Sequence, residues 1–196
     1  MTLDVLHALR LKGIVALDFL AELVERSSGD VQAELDRLTG EGLVRLRETP
    51  RLTGWSLTPE GHARHADEMA AQRTPEIVSS LTPIYEGFLR LNDRVKALST
   101  SWQQLATDDR AGRWEAIEEL AELLGEAAAI LITAAGVVPR FRSYERRLTS
   151  ALEQLRAGDE RFFTGVTVDS FHTVWFECHE DLIQSLGRDR VQEGSF

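Results

Sequence analysis

Three groups of residues in this chain have the types and spacing to do chemistry. Arg45, Arg47 and Arg51 lie within seven positions, opposed only by Glu48. Cations set so closely are what phosphate contacts require. Arg140, Arg142, Arg146 and Arg147 form a second basic cluster. It reads either as a solvated helix face paired with Glu145 and Glu153, or as an anion site for a carboxylate or phosphate. It also reads as a buried charge partner for Glu177 or Asp181. His172 and His179 stand two helical turns apart, and Glu177 or Glu180 could join them at a metal. Yet the Glu-x-x-His spacing of carboxylate-bridged bundles is missing, and no Cys/His cluster supports zinc. The expectation is hydrogen-bonded, half-buried histidines, with no metal and no cofactor. Cys178 has no basic neighbour in sequence to lower its thiol pKa, so it reads as core rather than nucleophile. No Gly-rich phosphate loop, Ser/His/Asp order or HExxH motif appears, so the chain is not expected to be an enzyme.

Charge and composition narrow the classes. The 196 residues carry 32 acids and 22 bases, a net charge of −10, with 43% hydrophobic residues. That balance suits a folded protein and excludes an overall basic nucleic-acid surface, so any such contact must be local. One cysteine leaves no intrachain disulfide. The apolar runs look too short to cross a bilayer, which takes about 20 residues. Met1 leads into Leu3, Asp4 and Val5 without a basic stretch, so no signal peptide, no membrane partner and a cytoplasmic location are expected.

The texture changes near residues 72–75, which sets the expected domains at 1–73 and 74–196. The first carries a net charge of −3, the second −7. In the first, Leu3, Leu6 and Leu9 share one helix face, and Leu17, Leu20, Leu23 and Val24 share a second. Ser28 or Asp30 is placed to cap a third helix carrying Val31, Leu35 and Leu38. Leu43-Val44-Arg45-Leu46 alternates as a strand does. A turn-rich stretch, Thr49 to Gly54, returns the chain to Trp55-Ser56-Leu57. Thr58-Pro59-Glu60 then has the cap, first-turn proline and acid of a helix start.

The run Glu41-Gly42-Leu43-Val44-Arg45-Leu46-Arg47 and the run Gly54-Trp55-Ser56-Leu57-Thr58-Pro59-Glu60-Gly61 resemble the wing and exit of bacterial MarR-like and PadR-like regulators, of the actinobacterial type. The resemblance covers about residues 3–70. It implies a winged helix-turn-helix, with the third helix in the major groove and the hairpin on the backbone. Transferred onto this sequence, the DNA-binding candidates are Gln32, Arg37 and Thr39 on the helix and Arg45, Arg47 and Arg51 on the hairpin. The helix is acidic for that role: Asp30, Glu34, Asp36 and Glu41 stand against Arg37 alone. Leu6 to Gly13 and Gly54 to Gly61 are also similar to segments of proteins related to phosphoenolpyruvate-utilising dikinases.

The second half reads as about four long helices in an antiparallel bundle. Thr74-Pro75-Glu76 opens the first, and Pro83 should kink or restart it. Gly136 and Pro139 punctuate the next, Gly158 closes the third, and Asp169 is a capping candidate for the last. That last helix, to Leu186, is apolar nearly all the way round, so it should run through the bundle or a dimer interface. Tyr85, Phe88, Trp102, Phe141 and Tyr144 lie on faces that should converge with His172, Trp175, Phe176 and His179. They read either as packed core or as the lining of an apolar effector cavity.

The fold class expected is therefore mainly α: a winged helix-turn-helix with a small β-hairpin, followed by a helical bundle. The function expected is a regulator that binds double-stranded DNA as a homodimer, controlled by a small-molecule effector. The alternative is an accessory or regulatory subunit of an enzyme, such as a dikinase-like one, using the winged helix for protein contact.

Overall fold

The computed structural model describes residues 2–48 and 53–188. Helix dominates, with one two-stranded antiparallel sheet. The chain divides into two compact units, Met1–Thr74 together with Gly187–Phe196, and Pro75–Leu186.

The first unit runs α1 (Thr2–Lys12), α2 (Leu17–Leu23), α3 (Ser28–Gly40), β1 (Val44–Glu48), β2 (Thr53–Leu57) and α4 (Pro59–Gln72). Its core is the expected apolar set: Leu6 and Leu9, Leu20, Val31, Leu35 and Leu38, closed by Val44, Trp55 and Leu57. The cap of α3 differs from expectation. Ser27 Oγ accepts from the Asp30 amide at 3.1 Å and donates to the Asp30 carboxylate at 2.6 Å. Ser27 is one residue earlier than Ser28, and its extended backbone suits the capping position.

Two close approaches explain the sequence around the sheet. β1 and β2 pair with Arg45 opposite Ser56 and Arg47 opposite Gly54. Val15, between α1 and α2, adds an antiparallel bridge to Trp55 through bonds of 2.9 and 2.7 Å. A Cβ on Gly54 would sit 2.7 Å from the Val15 carbonyl, so only glycine admits this bridge. At the start of α4, Thr58 Oγ1 accepts from the Gly61 amide at 3.0 Å and donates to Gly42 O at 2.7 Å. A Cβ on Gly61 would lie 1.9 Å from Leu43 O. The Thr-Pro-Glu-Gly motif is thus a helix start pressed against the entry to the hairpin. Further along α4, His65 meets His7 of α1: Nδ1 of His7 and Nε2 of His65 are 2.9 Å apart and both rings are buried.

The second unit holds α5 (Pro75–Gln104), α6 (Arg110–Val137), a 3-10 turn (Pro139–Phe141), α7 (Arg142–Arg156), α8 (Arg161–Thr164) and α9 (Phe171–Leu186). α5 packs on α6, α6 on α7, α7 on α9, and α9 back on α5, closing a ring of four long helices. Three expectations change. α5 runs unbroken through Pro83, whose missing N–H costs a bond without ending the helix. Ser170, not Asp169, sits at the head of α9, its Oγ accepting from the Thr173 amide at 3.3 Å. And α6 contains an 18-residue window of mean hydropathy 1.7, long and apolar enough to cross a membrane, of which 33% is buried. Glutamates up to Glu126 hide that run in the sequence, although no charge occurs from Ala127 to Val137.

Candidate functional site

On the first unit, β1 presents Arg45 and Arg47 on one face of the strand, since successive side chains alternate. Both are exposed, and neither has a partner among the described residues. Arg51 lies outside the described residues. β1 packs on α3, and Leu43 N donates to Leu38 O at 2.9 Å, so the cations stand on a strand fixed to the helix before it.

The three candidates on α3 are differently placed. The Gln32 amide donates to Asp36 at 2.7 Å. The Thr39 hydroxyl donates to Leu35 O at 2.7 Å. Arg37 donates to Glu34 at 2.7 Å, to Glu41, and to the Thr2 hydroxyl at 2.9 Å. Arg37 holds the Glu34 carboxyl below its usual range against the opposing effect of burial, and Thr2 adds to this. The Glu34 bond in turn raises Arg37. The helix therefore shows solvent Asp30, Asp36 and Glu41, with its one arginine already engaged.

In the second unit, the structure brings together a polar cluster that the sequence offered as one of several readings. Arg147 donates to Asp169 through two bonds of 2.7 Å and to Glu177 at 2.6 Å. Arg140 bonds Asp181 at 2.8 Å and Ser185 at 2.6 Å, and the Tyr144 hydroxyl donates to Asp181 at 3.1 Å. The buried Arg147 and the half-buried Arg140 are thus charge partners of α9, whereas Arg142 and Arg146 are exposed. Burial by itself would lower the Arg147 pKa. The Asp169 hydrogen bond and the charges of Glu177 and Asp169 outweigh it and hold the guanidinium charged. Burial, then the Asp181 charge, pushes the Tyr144 phenol and the Cys178 thiol well above their usual values. A thiol so placed is not a nucleophile.

The rings proposed for an effector are mostly packed on one another. Phe88 stacks on Trp175 at 4.6 Å, and Tyr85 on His179 at 5.8 Å. Trp175 Nε1 donates to Asn92 at 3.0 Å, and Tyr85 Oη lies 3.3 Å from His179 Nε2. Trp102 lies between Phe163, at 4.2 Å, and the Arg113 guanidinium, at 4.6 Å. Phe141 and Tyr144 tilt together beside Arg140 and Arg147. His172 and Phe176 pair on the half-buried side of α9, and burial lowers the His172 pKa. No group of three or more metal-ligating side chains occurs among the described residues.

No family model matches the chain, and neither a curated protein nor a solved structure matches it.

Proposed function

We propose that the chain is a transcriptional regulator whose first unit is a winged helix-turn-helix of the MarR-like or PadR-like kind, binding double-stranded DNA. The order helix, helix, helix, hairpin, helix supports this, as does the Val15–Trp55 bridge beside the hairpin. The observation that carries it is the pair Arg45 and Arg47, exposed and without a partner among the described residues, on the strand that follows α3. Exposed cations on a hairpin are the kind of group that displaces counterions from a phosphate backbone. A gel shift with the full chain and a duplex from its own upstream region, at low salt, tests the reading. A retarded complex that weakens in Arg47→Ala is the result expected. No complex at low salt would overturn it.

The second unit is read as the dimerising part, with a small-molecule effector held among its rings. Aromatic and histidine density supports an effector site. A ligand that binds the folded chain raises its melting temperature, so a screen of apolar acids tests this part. No rise with any of them, together with severe destabilisation by Trp175→Ala, would leave the rings as core alone.

One observation favours a second reading, an accessory subunit of an enzyme such as a dikinase-like one. The exposed carboxylates of α3 suit a basic protein surface better than a polyanion. If no duplex is bound, this reading replaces the first.

A further inference from the structure

Resting on the DNA-binding reading, we infer that the hairpin arginines hold duplex DNA without base reading by α3, so that binding is indifferent to sequence. Reading a base edge in the major groove takes a free, directed donor, and the commonest is an arginine bonded twice to guanine. Each polar candidate on α3 is instead turned on its own helix or on α1. Gln32 gives its amide to Asp36, Thr39 its hydroxyl to Leu35 O, and Arg37 its guanidinium to Glu34, Glu41 and Thr2.

These bonds alone would not prevent reading. An exposed ion pair is worth only about 0–1 kcal/mol, less than the roughly 1–3 kcal/mol of a good bidentate base contact. The carboxylates decide the matter. Turning Arg37 toward a base would strip Glu34 and Glu41 of the guanidinium hydrogen-bonded to both as the helix approaches the phosphates. Asp30 and Asp36 would add to the repulsion. Arg45 and Arg47 meet no such conflict, because no acid holds them among the described residues. Contacts to phosphate fix position on the duplex and carry no sequence information.

The test compares affinities of the full chain for three duplexes by fluorescence anisotropy: the chain's own upstream region, a scrambled sequence of the same composition, and an alternating A·T duplex. Arg37→Ala and Arg47→Ala each remove one positive charge, so net charge cannot account for a difference between them. The expected result is that wild-type affinities agree within about tenfold, far below the roughly thousandfold or greater preference of a specific binder. Arg47→Ala should weaken all three equally, and Arg37→Ala should weaken none selectively. A thousandfold preference for one duplex that collapses in Arg37→Ala would overturn the inference while leaving DNA binding intact. Binding to none of the three would overturn the DNA-binding reading itself.

Discussion

Arg147 shows how much a single side chain can hold in this fold. Its guanidinium meets Asp169 and Glu177 with side-chain exposures of 5%, 21% and 10%. Removing one partner of a buried pair leaves uncompensated charge, at a cost of about 3–5 kcal/mol. Arg147→Met should therefore lower the urea midpoint sharply. Arg156→Ala should cost about 0–1 kcal/mol, because Arg156 and Glu118 are each 44% exposed. Equal midpoints for the two variants would contradict the burial argument. The partners were half legible in the sequence. Glu177, Asp181 and Ser185 recur every four residues along one stripe of α9, and Tyr144 stands between Arg140 and Arg147 at matching spacing. Those stripes show that each helix has a polar face. They do not show that the two faces meet, because Glu145 and Glu153 offered local partners for the same arginines.

At the scale of elements, most helix limits follow from caps and apolar spacing. The hairpin and the start of α4 come from a short motif whose reason lies in close packing. Gly61→Ala would place a methyl group against Leu43 O and force the backbone apart, costing about 1–3 kcal/mol. Gly125→Ala, in the middle of α6, meets nothing within 4 Å. It should stabilise by about 0.4–1 kcal/mol, through reduced freedom of the unfolded chain. Thermal melts of both variants check the pair, and a destabilised Gly125→Ala would contradict the open setting of that position. That α5 does not restart at Pro83 and that α6 holds a long apolar stretch were hard to see in the sequence for related reasons. Proline reads as a breaker when the packing that carries a helix past it is not visible. Glutamates on one helix face also interrupt a run in sequence that is continuous on the other. The short α8 left no periodic signal at all, since four residues make little more than one turn. The burial of α9 has a definite origin: α5, α7 and α8 pack on it within its own unit.

For the whole molecule, the buried Cys178 and Tyr144 make stability depend on alkaline pH. Burial raises both groups in the folded state, so the unfolded chain releases their protons first as pH rises. Their contribution is complete below the unfolded values, about 8.5 for a thiol and about 10 for a phenol, and is lost as pH climbs toward the folded values. Few other groups titrate there, since the chain has only two lysines, Lys12 and Lys96. Urea midpoints should fall above about pH 9, and the double variant Cys178→Ala, Tyr144→Phe should flatten the fall. An unchanged profile in that variant would assign the alkaline loss to other groups.

In the proposed function, Arg45 and Arg47, without a partner among the described residues, bind the phosphate backbone of duplex DNA. The most direct test is the salt dependence of duplex affinity for the full chain, wild type against the double variant Arg45→Ala, Arg47→Ala. Each phosphate contact contributes a slope of about −0.9 in log affinity against log salt, so the double variant should lose close to two counterions. That loss should come together with weaker binding, while the melting temperature stays the same. A wild-type slope and affinity retained in the double variant would contradict this reading.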